Sequence, residues 1–268
     1  MKIIAITTLL CLSAAIVHAE ELDPAEIMLG ERLFLETRFA QFFAAHYDAD
    51  VNTPLLQGDP ALEKTVRFFG LPPYQIPFTD SLYAGQSFNC RSCHLVDEHL
   101  EQSELGMRSY ADFASRSPLP TRDDGNVVTV RNSPALVDAS LPRRDFLLHF
   151  DGEFHSLEHL VRGTITGRNL GWLPGEKDIA IEHICKVVRE DNGNSNLAKE
   201  FGELSYTDAF AGSKANGDAI EDAFLIPQKL RMDVQKASCD KVFEATANFI
   251  AIYAEDLVFA EDESIISP

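Results

Sequence analysis

The stretch Cys90-Arg91-Ser92-Cys93-His94 decides how the rest of this chain is interpreted. Two thiols three positions apart can each add to a vinyl group of a haem, and the histidine that follows is placed to ligate the iron. A Cys-x-x-Cys pair alone is also typical of a thioredoxin-like redox site or of half a zinc site. Neither explains the histidine, no second Cys-x-x-Cys could complete zinc, and no βαβ pattern surrounds the motif. The motif therefore predicts one covalent haem c, attached through Cys90 and Cys93 and ligated by His94.

The N-terminus has the pattern of an export signal. Lys2 precedes an apolar run over residues 3–17, and Val17-His18-Ala19 offers small residues at the positions that a signal peptidase tests. We expect cleavage near Ala19 and a periplasmic or otherwise exported protein. A lipoprotein signal at Cys11 is disfavoured because two leucines precede it. No later segment reaches the roughly 20 apolar residues of a spanning helix, so no membrane insertion is expected.

The chain is strongly acidic. It has 268 residues, 45% of them apolar, and a formal net charge of -19. Loss of residues 1–19 removes one charge, that of Lys2, and takes the value from -19 to -20. Such a surface disfavours nucleic acid and anionic membranes as partners. It fits either a basic electron-transfer partner or simple solubility of an exported protein.

The cysteine pattern fits an oxidising compartment. Besides Cys11 and the motif pair, the chain holds Cys185 and Cys239. A disulfide between them is expected to stabilise the fold by about 4 kcal/mol in the chain-entropy model. The alternative is two separate buried thiols.

Helical signals dominate, and strand-like alternation is scarce. Asp23-Pro24 reads as an N-cap with proline in the first turn, and Ser156 as the N-cap of a short helix ending near Gly163. Apolar periodicity marks two further amphipathic helices. The four predicted helices cover residues 24–36, 157–163, a segment through Ile179, Ile181, Ile184, Val187 and Val188, and about 236–258.

Two long connections interrupt this all-α frame, at residues 39–88 and 117–145. Connections of that length in a compact domain usually bind a ligand or cover a site. Part of the first is expected to be helical, because its phenylalanines at positions 42, 43, 68 and 69 must be buried somewhere.

The blocks that flank the motif carry a resemblance to a known family. The blocks are Leu29-Gly30-Glu31-Arg32-Leu33-Phe34, Arg131-Asn132-Ser133-Pro134-Ala135-Leu136, His149-Phe150-Asp151-Gly152 and Ser156-Leu157-Glu158. In their order and approximate spacing they resemble the N-terminal haem domain of the bacterial di-haem cytochrome c peroxidase and MauG-like family, over roughly residues 25–260. The resemblance implies a cytochrome c-type fold, with hydrogen peroxide as the usual oxidant.

The chain also departs from that family. Family members have a second haem domain with its own motif, which this sequence does not contain, so the chain is either a fragment or works with one haem. The Asp-Gly-Arg of the family reads Asp151-Gly152-Glu153. The glutamate that the peroxidases place after the next helix falls near Leu170. Without a carboxylate there, cleavage of peroxide loses a general acid-base group, typically worth about a hundredfold or more in rate.

Other candidate residues have ordinary interpretations. His149, His155 and His159 lie close in sequence but lack a further ligand nearby, so packing or surface roles are favoured over a metal site. Asp151 is better explained as a turn residue than as a catalytic acid. Trp172 and Phe150 could lie between the haem and a partner, although an aromatic residue is more often part of the core.

The sixth iron ligand is the least constrained feature. Met107, thirteen residues after His94, is the leading candidate, because methionine opposite histidine is the usual pairing in electron-carrying cytochromes. Met107 could instead fill a gap in the core. Tyr110, His46 and an open position are the other possibilities.

The sequence thus predicts a mostly α, cytochrome c-type haem domain with long loops, spanning residues 20–268 after a signal peptide at 1–19 and carrying an inserted segment at about 39–88. The expected function is redox chemistry through haem c, with hydrogen peroxide as oxidant. The alternatives are a mono-haem electron carrier without peroxidase activity and a domain that needs a second haem protein. The expected electron partner is a small redox protein or a second haem protein.

Overall fold

The structure is a computed structural model, and its described part is helical. The residues it describes are 22–53, 55, 87–90, 93–94, 119–120, 122–126, 129–130, 133–134, 136, 148 and 152–257. Within these ranges no strand is present, and a single antiparallel bridge joins Leu148 to Phe154. The prediction of a mostly α fold is confirmed at this level.

In the described ranges, seven α-helices and three short 3-10 turns form the frame. The helices are α1 Ala25–Phe34, α2 Gln41–His46, α3 Leu157–Ile165, α4 Lys177–Glu190, α5 Asn196–Glu200, α6 Tyr206–Ala211 and α7 Cys239–Asp256, and the 3-10 turns are Arg168–Leu170, Asp222–Phe224 and Gln228–Leu230. No described helix is long and apolar enough to cross a membrane.

Helix α7 is the centre of the packing, and α1, α3 and α4 all lie against it. Gly30 is the point where α1 comes closest: a Cβ built there would lie 2.2 Å from the Phe249 carbonyl oxygen and 2.8 Å from the Tyr253 Cβ. One turn further on, the Phe34 ring meets the Tyr253 ring edge to face, with centroids 5.1 Å apart. Only glycine allows this crossing, because any side chain would push the two backbones apart.

The predicted helices are confirmed to within about three residues at each end. The first and second predicted helices differ from the structure in one detail each. The N-cap position of α1 is Pro24, without a side-chain bond, so Asp23 does not cap the helix as predicted. Helix α3 continues past Gly163 to Ile165, and Ser156 caps it as predicted, with its Oγ accepting from the His159 amide.

Serine caps also begin three helices for which no cap was predicted. The hydroxyls of Ser195, Ser205 and Ser238 accept from the amide three residues ahead at the starts of α5, α6 and α7. Each such bond satisfies an amide that the helix leaves without a partner, which explains why these segments become helical where they do.

A disulfide joins α4 to α7. Cys185 is completely buried on α4, and it pairs with Cys239, the first residue of α7. The predicted pairing is therefore confirmed. The apolar face of α4 is confirmed at Ile181, Ile184, Val187 and Val188, but Ile179 is 62% exposed and does not belong to it.

The long connection at residues 39–88 is partly helical, as expected. It contains α2, where Phe43 is buried in the core and Phe42 is half-buried. The two remaining phenylalanines of the prediction, at positions 68 and 69, lie outside the described residues, as does the predicted signal peptide.

Candidate functional site

Backbone hydrogen bonds bring Cys90, Cys93 and His94 of the motif together in one turn. The amides of Cys93 and His94 both donate to the Cys90 carbonyl oxygen, at 3.1 Å and 3.0 Å. All three residues are half-buried, and neither cysteine is joined in a disulfide. The turn therefore carries both sulfurs and the imidazole on one short, partly accessible segment.

The imidazole of His94 is oriented by a residue from a distant part of the chain. Its Nδ1 lies 2.9 Å from the carbonyl oxygen of Pro134, forty positions away. A carbonyl only accepts, so Nδ1 carries a proton, and in the neutral ring Nε2 then carries the lone pair. This is the tautomer of a metal-ligating histidine, in which the ring nitrogen away from the metal donates to a backbone carbonyl or carboxylate.

The environment of Cys90 disfavours thiolate chemistry. Burial first and the neighbouring Cys93 second raise the pKa of the Cys90 thiol to about 12. Redox-active and zinc-binding cysteines need the opposite shift, because the thiolate is the reactive species. Among the described residues there is also no group of three or more histidine, cysteine or acidic side chains placed to hold a metal ion. A bare zinc or redox-pair interpretation of the motif gains no support.

The residues just before the motif anchor it in the core. Ser87, Phe88 and Asn89 are all buried. The Asn89 side-chain amide donates to the Leu35 carbonyl oxygen, at the C-cap position of α1, over 2.8 Å. The motif is thus tied down on both sides, by Asn89 before it and by the His94 imidazole at its end.

A cluster of buried, mostly charged residues, which the sequence did not predict, lies close to Leu35. The buried charge cluster consists of Arg32, Glu36, Arg38, Asp191 and Tyr206, each 5% exposed or less. Asp191 accepts from Arg32 at 2.7 Å and from Arg38 at 2.9 Å. Glu36 accepts from Arg38 and, at 2.9 Å, from the Tyr206 hydroxyl. Two cations face two anions, so the cluster is formally neutral.

Electrostatics keep Glu36 ionised. Burial by itself would raise the pKa of Glu36, but the Arg38 guanidinium outweighs it, and the pKa is lowered. The pKa of Tyr206 is raised, by burial first and by Glu36 second, so its hydroxyl remains a donor. The Arg32 guanidinium also stacks on the Tyr206 ring, 3.9 Å from the centroid. Paired charges of this kind give the end of α1 one well-defined position.

Trp172 belongs to the core. It is 2% exposed, its Nε1 donates to the Phe39 carbonyl oxygen at 3.1 Å, and its ring lies 6.0 Å from that of His183. His183 itself has its Nε2 2.7 Å from the Arg38 carbonyl oxygen. Of the two roles considered for Trp172, core packing is the one observed. Phe150 lies outside the described residues.

The segment where the resemblance places a catalytic glutamate holds no acid that could donate a proton. Leu170 is buried in the core. The adjacent Arg168 forms two bonds to Asp124, at 2.7 Å and 2.8 Å. Glu176 is paired with Arg122 at 2.7 Å, and this side-chain hydrogen bond lowers its pKa. Glu176 is therefore a salt-bridged carboxylate rather than a proton donor.

The remaining candidates are only partly described. His46 is exposed at the end of α2, its Nδ1 2.8 Å from the Phe42 carbonyl oxygen. His155 and His159 are exposed, in keeping with the surface role expected of them. The candidates outside the described residues are Met107, Tyr110, His149 and Asp151.

No protein-family model, curated protein or solved structure matches the chain. The relation to the di-haem peroxidases therefore rests on the sequence blocks alone.

Proposed function

We propose that the chain is an exported redox protein that carries one covalent haem c at Cys90, Cys93 and His94. The observation that carries the proposal is the hydrogen bond from His94 Nδ1 to the Pro134 carbonyl oxygen, at 2.9 Å. It selects the tautomer with a lone pair on Nε2, and it orients the ring on the same turn that presents the two sulfurs.

The donor set fits this cofactor. Haem c needs two sulfurs that form thioethers and one neutral imidazole, and Cys90, Cys93 and His94 supply these groups. The part of the chain that the structure describes holds no competing ligand cluster. When bound, the haem supplies one-electron iron redox chemistry. In the proposal Cys90 and Cys93 hold the macrocycle, His94 ligates the iron, and Pro134 sets the direction and basicity of the imidazole.

Hydrogen peroxide is the oxidant that the family resemblance implies, and electrons would come from a small redox protein or a second haem protein. A mono-haem electron carrier is the second candidate. Leu170 supports it, since a buried leucine lies where the peroxidases have a glutamate. Without a general acid-base group at this position, proton transfer between peroxide oxygens is slowed about a hundredfold or more.

Haem attachment is tested in a cell that matures c-type cytochromes. The full chain should be recovered from the exported fraction without its first 19 residues and with haem that survives denaturation and acid extraction. Cys90→Ala or Cys93→Ala should leave haem that is at most singly attached, and His94→Ala should change the iron spectrum even where thioethers form. An exported protein free of covalent haem would refute the proposal.

The spin state of the ferric iron separates the two candidate functions. High-spin iron with an open position would favour peroxide chemistry, and low-spin iron would favour electron transfer. If Met107 is the sixth ligand, the weak near-infrared sulfur-to-iron band should be present and should vanish in Met107→Ala. Met232→Ala is the matched control, because it removes a half-buried methionine from the second half of the chain. High-spin iron unaffected by either substitution would reject Met107.

A further inference from the structure

We propose that Asn89 is a positioning residue: it couples the haem-binding turn to the buried charge cluster, and thereby helps to set the orientation of the His94 imidazole. The inference rests on the proposed haem attachment. It concerns a residue outside the Cys-x-x-Cys-His motif, which the motif itself does not single out.

The first step is the burial of the segment that leads into the motif. Asn89 is 4% exposed, whereas Cys90 and His94 are half-buried. A buried side-chain amide must hydrogen-bond, because an unpaired one costs about 1–3 kcal/mol of stability. Asn89 makes its bond to the Leu35 carbonyl oxygen at 2.8 Å, across fifty-four positions of sequence. The contact thus joins the motif directly to the end of α1.

The second step is the rigidity of the acceptor. Leu35 is the residue just before Glu36, whose carboxylate is held by Arg38 and by Tyr206. Arg38 in turn reaches Asp191 at the end of α4. The Leu35 carbonyl is therefore attached to a backbone that several buried charged bonds fix, and Asn89 transfers that fixed position to the motif.

The third step is the short distance along the chain from this tie to the iron ligand. The Asn89 backbone continues into Cys90, whose carbonyl oxygen accepts from the His94 amide at 3.0 Å. The His94 backbone is thus held through Cys90, and its imidazole is held at Nδ1 by the Pro134 carbonyl oxygen. Loss of the Asn89 tie should shift the backbone relative to the ring's anchor, change the orientation of the imidazole and, with it, the reduction potential of a haem bound there.

The test uses the full exported chain with Asn89→Leu, which keeps the size of the side chain and removes its donor. Asn216→Leu is the matched control, since Asn216 is exposed and its amide donates only to a neighbouring carboxylate on the same loop. Hydrogen exchange over residues 87–94 and the midpoint potential of the haem are measured for the wild type and both variants. If Asn89→Leu does not fold, Asn89→Ala takes its place.

We expect exchange over residues 87–94 to rise about fivefold in the Asn89 variant, the factor that one ordinary hydrogen bond represents. We also expect the redox equilibrium constant to change at least threefold, which is about 28 mV for one electron. The control should match the wild type in both. A folded Asn89 variant with the wild-type potential, whatever its stability, would overturn the positioning role and leave the haem proposal standing. Wild-type protein without covalent haem would instead overturn the proposed function, and the inference with it.

Discussion

The buried charge cluster makes a sharp prediction about stability. Asp191 receives short bonds from Arg32 at 2.7 Å, from Arg38 at 2.9 Å and from the Tyr206 amide at 2.9 Å. Asp191→Asn keeps the shape of the side chain but removes its charge. Two buried guanidiniums would then face Glu36 as the single remaining anion of the cluster, and the new amide would turn a donor toward a cation.

The expected cost follows from the burial of these groups. Breaking a buried ion pair by removing one partner typically destabilises a protein by about 3–5 kcal/mol, because the remaining charge stays desolvated. Asp191 contacts two arginines whose side chains are 1% and 3% exposed, so neither can rehydrate without opening the core. We expect a loss near the middle of that range, about 4 kcal/mol.

The assay is urea unfolding of the mature, disulfide-bonded protein, followed by far-UV circular dichroism. The midpoint should fall while the slope of unfolding free energy against urea stays constant, since the surface exposed on unfolding is unchanged. Asp233→Asn is the control: Asp233 pairs with Lys236 at 2.7 Å, but both side chains are exposed. That substitution should leave the midpoint where it was. A loss below about 1 kcal/mol for Asp191→Asn would refute the view that the cluster is a dry, interdependent unit.

Three further outcomes are expected. Gly30→Ala should destabilise the fold by about 3 kcal/mol or more, because the new methyl group would lie 2.2 Å from the Phe249 carbonyl oxygen. Gly163→Ala is the control and should cost less, since its methyl group meets only the edge of the Phe154 ring at 3.0 Å. Equal losses of stability in thermal unfolding would contradict this. Cys239→Ser removes the disulfide to Cys185, which links residues 54 positions apart, and should lower the free energy of unfolding by about 4 kcal/mol. A change within experimental error would contradict the loop-entropy argument. Burial lowers the pKa of His183 from 6.5, so the unfolded chain binds more protons at acidic pH, and stability should decrease as the pH falls below about 6.5. His183→Gln should reduce that slope in pH-dependent unfolding, and an unaltered slope would show that other groups cause it.

Much of the helical frame could be predicted from local pattern. The apolar periodicity of α4 and α7 and the serine before α3 act over a few residues, and they produce the same local structure in almost any tertiary context. The Cys185–Cys239 pairing was predicted from the pattern of an export signal and from the small number of cysteines. The motif chemistry is equally local, because the two sulfurs and the imidazole lie within five residues.

Other local expectations were wrong. Ile179 lies two residues before Ile181, which on a helix of 3.6 residues per turn is off the buried face of α4, and it is 62% exposed. Asp23 has the right chemistry for a cap, but the helix begins so that Pro24 takes that position. An apolar residue can be buried and an aspartate can cap a helix, but the tertiary packing decides which of these residues do so.

The sequence by itself determined the helix pattern, the single motif and the disulfide partners of this protein. Only the tertiary structure decided that Asn89 reaches Leu35, that Pro134 holds His94, and that Asp191 closes a buried charge cluster with α1. These contacts join residues 40 to 159 positions apart, and they use asparagine, proline, aspartate and arginine, types that are usually at the surface. The periodicity of the sequence cannot predict these contacts. A charged residue is buried only where the fold places an opposite charge beside it, and the tertiary structure decides which residue that is.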